Sequence, residues 1–99
     1  MNNFSIRKAR ENDLAAIISL IKEFAEFEKL SDVCTVREND LREAVFGAEK
    51  FADCLIAEFE NRIVGYAIFF PVFKTFRGER SMYLEDLYVS PAMRGEGLG

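Results

Sequence analysis

The last six residues of the chain have the composition of a backbone loop that holds an anion. They are Arg94, Gly95, Glu96, Gly97, Leu98 and Gly99. Glycine lets the backbone turn tightly and approach a phosphate, so that successive N–H groups point at the same oxygens. A helix beginning there would add its positive dipole end, and Arg94 could donate a charge-assisted hydrogen bond to a pyrophosphate. A glycine-rich segment equally suits an ordinary loop, a linker or a chain end, so both interpretations stay open for these residues alone.

Two common phosphate-binding motifs do not fit this segment. A Walker loop requires a Lys-Ser/Thr pair after its glycines, and none follows here. The dinucleotide-binding fingerprint follows a strand of a parallel sheet, whereas the sheet predicted for this chain is antiparallel.

Two adjacent carboxylates, Glu85 and Asp86, precede the loop in a strand predicted over residues 82–89. A carboxylate can attract a protonated amine and, through a water molecule, take its proton. Successive residues of a strand point to opposite faces of a sheet, so at most one of the two faces a site. The other is expected to be a surface or ion-paired carboxylate.

Composition narrows the class of protein. The chain has 99 residues, enough for one domain, with thirteen Lys and Arg against seventeen Asp and Glu, a net charge of −4. This balance argues against a nucleic-acid partner and leaves room for a cationic small molecule. The absence of His excludes Ser-His-Asp and Cys-His nucleophiles and His-ligated zinc, and we expect no metal. Cys34 and Cys54 are predicted as free thiols, and no signal peptide or membrane span is seen, so we expect a soluble, cytoplasmic protein.

The pattern of elements predicts an α+β fold in the order β-α-α-β-β-β. Residues 4–7 alternate as a half-buried strand, and residues 12–30 form an amphipathic helix. Thr35 and Glu38 have the spacing of a capping box that starts a second helix, and Gly47 is predicted to close it in a left-handed cap. Strands are predicted over residues 54–59, 62–73 and 82–89, with a turn at residues 60–61 and a connection over residues 74–80.

The strand over residues 82–89, followed by Ser90-Pro91 and Arg94-x-x-Gly97-x-Gly99, resembles the acetyl-coenzyme A motif of the GNAT N-acetyltransferase superfamily. The upstream order of elements is also that of the family's first half. A narrower resemblance is to the diamine and polyamine N-acetyltransferases, the spermidine/spermine and thialysine group. Its matching segments are Phe4-x-Ile6-Arg7, residues 20–28, Asp40-Leu41, Phe46-Gly47, Ile63-Val64-Gly65 and Tyr83-Leu84-Glu85-Asp86.

The resemblance implies roles for particular residues. The strand carries a bulge in the family, and the backbone of Leu87, Tyr88 and Val89 would hold acetyl-CoA. The loop formed by Arg94, Gly95, Glu96, Gly97, Leu98 and Gly99 would bind its pyrophosphate. Glu85 would be the catalytic carboxylate beside the substrate amine, and Phe27 and Glu28 would contribute to the polyamine site. For Phe27 a core position, and for Glu28 a solvated position, stay open.

The resemblance also implies that residues 1–99 are the N-terminal part of a single GNAT domain, so that the chain alone would be inactive. The family's thiolate-protonating tyrosine belongs to the later part, and no residue here takes that role. The full-length parent is expected to transfer acetyl from acetyl-CoA to a di- or polyamine, and to be a homodimer. The alternative is a truncated, non-catalytic binding or dimerisation module.

Overall fold

In this computed structural model, residues 4–93 form one four-stranded antiparallel sheet with two helices. The strands are β1 (Phe4–Lys8), β2 (Asp53–Phe59), β3 (Arg62–Lys74) and β4 (Glu79–Val89), hydrogen-bonded in sequence order. The helices are α1 (Leu14–Phe27) and α2 (Glu38–Phe46). The structure thus confirms the α+β class and the predicted element order. The strands β3 and β4 extend further toward their shared turn than predicted, since β4 begins at Glu79.

Helix α1 is shorter than the predicted span of residues 12–30. Its core side carries Leu14, Ile17, Ile18 and Leu20, which are all buried. A short 3₁₀ turn, Glu11–Asp13, precedes it. The helix ends at Phe27 because Lys29 adopts a left-handed conformation with φ of 60°.

The end of α1 is a Schellman motif, although no glycine is present. The N–H of Leu30 donates to the carbonyl of Ala25 at 2.7 Å, and the N–H of Lys29 donates to Glu26 at 3.0 Å. These two bonds satisfy carbonyls that the last turn leaves open. Since Lys29 takes the position that glycine usually fills, the sequence gives no local signal for this stop.

The predicted start of α2 was wrong, and its end was predicted at the right residue, Gly47, but with the wrong conformation. The residue before the helix is Arg37 rather than Thr35, and its backbone N–H donates to the Asp40 carboxylate at 2.9 Å. Thr35 and Glu38 were predicted to form the capping box, whereas Arg37 and Asp40 form it in the structure. At the other end Gly47 has φ of −70°, which is extended rather than left-handed.

Gly47 is required because a side chain at this position would collide with the backbone of α2, and not because the chain makes a left-handed turn there. A Cβ built on it would lie 2.5 Å from the carbonyl oxygen of Glu43. The chain therefore leaves the helix in close contact with the last turn of α2. The N–H of Gly47 donates to that same carbonyl at 3.2 Å.

The two sheet hairpins have different turns. Between β2 and β3, Glu60 and Asn61 have φ of 50° and 66°, as in a type I′ turn, whose twist matches that of the flanking strands. Between β3 and β4, residues 75–78 form the connection, with Gly78 at φ of 63°. The sequence prediction of both turns is confirmed.

The hydrophobic core lies between the helices and one face of the sheet. Its most deeply buried large side chains are Leu14, Ile17, Ile56 and Tyr88. Cys54 is buried in this core and Cys34 is half-buried, and both are free thiols, as predicted. Burial raises the pKa of the Cys54 thiol to about 12, so it stays protonated and unreactive near neutral pH.

A buried ion pair joins β1 to the start of α1. The guanidinium of Arg7 donates to both oxygens of the Asp13 carboxylate, at 2.8 and 3.0 Å, and to Glu58 of β2 at 3.1 Å. The backbone N–H of Arg10 also donates to Asp13, at 2.7 Å. The hydrogen bonds from Arg7, followed by that from Arg10, lower the pKa of Asp13 against the opposing effect of burial. This cluster sets the angle at which α1 leaves the sheet.

Candidate active site

The register between β3 and β4 breaks at Glu85. Ile68 pairs with Asp86 and the next residue, Phe69, pairs with Leu84, so that Glu85 is an extra residue in β4. Such a β-bulge interrupts the ladder and bends the strand. The family resemblance implied a bulge in this strand, and the structure confirms the bulge. The register places it at Glu85, the residue predicted to be the catalytic carboxylate. The Glu85 side chain is exposed.

Beyond the bulge, the residues of β4 alternate between the two faces of the sheet. Tyr88 pairs with Tyr66, and both are buried on the helix-covered face. Leu87 pairs with Ala67 on the opposite face and is 56% exposed. Val89 follows on the same face as Leu87 by alternation. The predicted acetyl-CoA segment therefore presents one buried side chain to the core and two to the open face.

The open face of the sheet forms a shallow apolar cavity. Its lining includes Leu87 and Val89 of β4, together with Ile6, Leu55 and Ala67 from the other three strands. Side chains of this face are left in part exposed, among them Ile6 at 59%. The predicted acetyl-CoA segment of β4 thus borders an apolar surface.

Asp86 is held by a tyrosine hydroxyl. Tyr66, 2% exposed, donates from its OH to the Asp86 carboxylate at 3.1 Å. Burial, followed by the nearby charge of Asp86, raises the pKa of Tyr66, so the hydroxyl remains a proton donor. The expectation that the second carboxylate would be a surface or ion-paired group was wrong, because Asp86 is half-buried and hydrogen-bonded to a neutral group.

Tyr88 connects β4 to α1. Its hydroxyl donates to the Glu23 carboxylate at 2.6 Å, and its ring stacks on Phe24 with centroids 4.9 Å apart. Tyr88 also borders a cleft between α1 and the end of β4, whose lining includes Glu23, Glu26, Phe27 and Pro91. Two predicted site residues, Phe27 and Tyr88, are therefore brought together at one cleft.

Glu28 and Glu85 lie outside the lining of that cleft. Glu28 is the exposed residue that caps the end of α1, immediately after Phe27. Phe27 is 54% exposed, which excludes the alternative that it is a core residue. The predicted pyrophosphate loop, Arg94 to Gly99, lies outside the residues that the structure describes.

The described part of the chain has neither a metal-binding cluster nor a membrane-spanning helix. Residues 4–93 contain no cluster of three or more Cys, Asp or Glu side chains arranged to hold a metal ion. Neither described helix has the length and apolar character needed to cross a membrane.

The described residues form an antiparallel four-stranded sheet with two helices packed on one face, and solved acetyltransferases share this fold. The chain belongs to the acetyltransferase (GNAT) family, whose model matches residues 11–99. Among solved structures it is similar to an aminoglycoside acetyltransferase from an uncultured soil metagenomic sample, in complex with sisomicin, with a TM-score of 0.76 and 23% identity over 97% of this chain and 62% of that one. It is also similar to a predicted acetyltransferase with acetyl-CoA from Clostridium acetobutylicum, with a TM-score of 0.73 and 21% identity over 96% of this chain and 65% of that one.

Curated relatives are more similar in sequence. The thialysine N-epsilon-acetyltransferase of Mus musculus is 41% identical over 107 aligned residues, which cover 100% of this chain and 62% of the relative. The spermidine/spermine N(1)-acetyltransferase-like protein 1 of Homo sapiens is 35% identical, over 100% of this chain and 15% of its own length. The chain thus spans less than two thirds of the length of these relatives.

Sequence reasoning missed two polar residues near the site. Tyr66 and Glu23 were not among the predicted site residues, but each makes a hydrogen bond to β4. A signal for Tyr66 exists in hindsight, because a tyrosine in a strand otherwise rich in apolar residues needs a partner for its hydroxyl. No local signal marks Glu23, because its partner is 65 positions away.

Proposed function

We propose that the protein carrying this chain transfers the acetyl group of acetyl-CoA to a primary amine of a di- or polyamine. The observation that carries the proposal is the bulge at Glu85, which interrupts the β3–β4 ladder beside the predicted acetyl-CoA segment. Membership of the acetyltransferase family supports acetyl transfer. The choice of amine is supported by relatives named for thialysine and for spermidine and spermine.

The acetyl-CoA site would use the backbone of β4. Within residues 4–93 this strand is at the edge of the sheet, where backbone groups face away from the neighbouring strand. The segment formed by Leu87, Tyr88 and Val89 would bind the extended pantetheine arm there. Residues Arg94 to Gly99 would bind the pyrophosphate, as their glycines and arginine suggest.

The acceptor amine must lose a proton before it can react. A primary alkylamine has a pKa of about 10.4 and is a cation near neutral pH. Exposed Glu85 would attract this cation and, through a water molecule, take its proton. The remaining amine end would lie toward Phe27 and Glu28. Glu23 and Glu26 border the cleft beside Phe27, and with Lys22 in the same lining they leave one net negative charge there.

The transfer itself would be direct. The neutral amine nitrogen attacks the thioester carbonyl and forms the C–N bond, and a backbone N–H at the bulge stabilises the oxyanion that develops. The C–S bond then breaks and the nitrogen gives up its second proton to form the amide. Coenzyme A leaves as a thiolate and takes up one proton, so this step is balanced. No covalent intermediate with the protein is required.

A thiol-release assay on the full-length protein tests the proposal. We expect turnover with di- and polyamines and a loss in kcat/KM of about 10²- to 10⁴-fold for Glu85→Gln, the range for a lost general base. Glu79→Gln is the matched control, since Glu79 lies at the far end of the same strand. Turnover with standard amino acids and none with polyamines would refute the choice of amine.

Calorimetry with acetyl-CoA tests the alternative of a non-catalytic module. Binding of acetyl-CoA at micromolar concentration, followed by turnover, supports the enzyme, and a protein that self-associates without binding acetyl-CoA contradicts it. The homodimer and the cytoplasmic location stay predictions, to be tested by sedimentation and by fractionation.

A further inference from the structure

The side chain of Tyr88 has no assigned task in acetyl transfer. The proposed function uses only the backbone of this residue, yet its hydroxyl and ring make specific contacts with α1. The hydroxyl donates to Glu23 at 2.6 Å, the ring stacks on Phe24, and the side chain is 2% exposed. A hydrogen bond to a charged acceptor is stronger than one between neutral groups.

The bond joins two elements that carry different parts of the proposed site. Tyr88 belongs to the segment of β4 proposed to hold acetyl-CoA. Glu23 lies one helical turn before Phe27, on the same side of α1, because residues four apart are neighbours on a helix surface. Tyr88, Glu23 and Phe27 all border the same cleft. A change in the Tyr88–Glu23 distance would therefore move Phe27 relative to β4.

We infer that Tyr88 and Glu23 are positioning residues whose hydrogen bond fixes the amine-binding end of α1 against the acetyl-CoA strand. The inference rests on the proposed function, because it needs an amine at Phe27 and acetyl-CoA on β4. It gives Glu23 the task of accepting the hydrogen bond from Tyr88, which is separate from any attraction between its charge and the amine. Helix α1 ends only one turn later, in a motif without glycine, so this bond secures its terminal segment.

The test compares two ways of removing the bond in the full-length enzyme. Tyr88→Phe keeps the backbone and the stacked ring but loses the hydroxyl, and Glu23→Ala loses the acceptor. We expect each to raise the KM for a polyamine about 10- to 150-fold, the effect of one lost hydrogen bond to a charged group. The KM for acetyl-CoA should stay unchanged, because the backbone of β4 is retained.

Two further variants separate positioning from other effects. Glu23→Gln keeps an acceptor oxygen without the charge. It should reverse part of the rise in amine KM that Glu23→Ala causes, because a neutral acceptor forms a weaker bond. The double variant Tyr88→Phe/Glu23→Ala should be no worse than the worse single variant, because both remove the same bond. Glu23→Gln behaving like Glu23→Ala, or additive losses in the double variant, would overturn the inference.

Matched controls are Tyr83→Phe and Glu43→Ala, which alter an exposed tyrosine of β4 and an exposed glutamate of α2. Neither should change the KM for the amine, and a loss equal to that of the test variants contradicts the inference. Amide hydrogen exchange over residues 24–30 gives a readout without activity, and it should be faster in Tyr88→Phe. If the wild type acetylates no amine, the proposed function fails. If hydrogen exchange over residues 24–30 is also unchanged in Tyr88→Phe, the hydrogen bond does not hold the end of α1 and the inference fails as well.

Discussion

Arg7 holds a buried carboxylate at the junction of β1, α1 and β2, and its removal should destabilise the fold. Asp13 is 5% exposed and accepts two hydrogen bonds from the guanidinium and one from the backbone N–H of Arg10. Arg7→Met leaves one of these three donors. Removing one partner of a buried ion pair costs about 3–5 kcal/mol. Because the Arg7 side chain is itself 22% exposed, water can reach the site, and we expect the lower end, about 3 kcal/mol.

Urea denaturation followed by circular dichroism measures this loss. With a slope of about 1–2 kcal/mol per molar urea, the midpoint should fall by roughly 1.5–3 M while the slope is unchanged. The double variant Arg7→Met/Asp13→Leu should recover part of the stability, because an apolar pair leaves no unpaired buried charge.

Arg37→Met is the control for Arg7→Met. Arg37 pairs with Asp40 on the surface, where its side chain is 78% exposed, and we expect no measurable change in the midpoint. The reasoning is refuted if Arg7→Met shifts the midpoint no more than Arg37→Met does. It is also refuted if the double variant is as unstable as the single one.

Three further outcomes follow from buried or crowded groups. The pKa of Asp13 is lowered from 3.8, so its contribution to stability is present above about pH 4 and is lost as the pH falls through the lower folded-state pKa. The free energies of unfolding of the wild type and of Asp13→Asn, measured by acid titration, should therefore converge below that pKa. A Cβ at Gly65 would lie 2.9 Å from the carbonyl oxygen of Tyr88, so Gly65→Ala should raise the KM for acetyl-CoA in the thiol-release assay. Burial raises the pKa of the Cys54 thiol to about 12, so a thiol reagent should label Cys34 first. Peptide mass spectrometry measures both rates, and equal labelling of Cys54 would contradict the prediction.

The sequence predicted the elements better than their ends. Buried positions recur at a regular spacing along a helix or a strand. The apolar stripe of α1 and the alternation of the strands therefore appear as periodic patterns in the sequence. Helix ends depend on single hydrogen bonds instead. Asp40 rather than Glu38 accepts the bond from the start of α2, and Lys29 rather than a glycine turns the chain after α1. At the start of α2, two carboxylates of similar capping propensity compete, and spacing alone does not rank them. After α1, a lysine adopts a conformation that usually favours glycine, so propensity points away from the observed stop.

The candidate site could be predicted only in part. The bulge in β4 was implied by the family resemblance, and the register places it at Glu85. The hydrogen bonds that Tyr66 and Glu23 make to β4 join residues 20 and 65 positions apart. Such contacts arise from the packing of the helix on the sheet, and no local pattern encodes them.

The order of the strands has a consequence for the folding pathway. Strands β2, β3 and β4 are joined by short turns, and the type I′ turn favours early pairing of β2 with β3. Strand β1 instead pairs Phe4 with Phe59 and Lys8 with Leu55, so about fifty residues must be closed into a loop first. We therefore expect the three-stranded meander to form early and β1 to join it late, when α1 has docked. Pulse-labelled hydrogen exchange would contradict this sequence of events if the β1 amides were protected as early as those of β3.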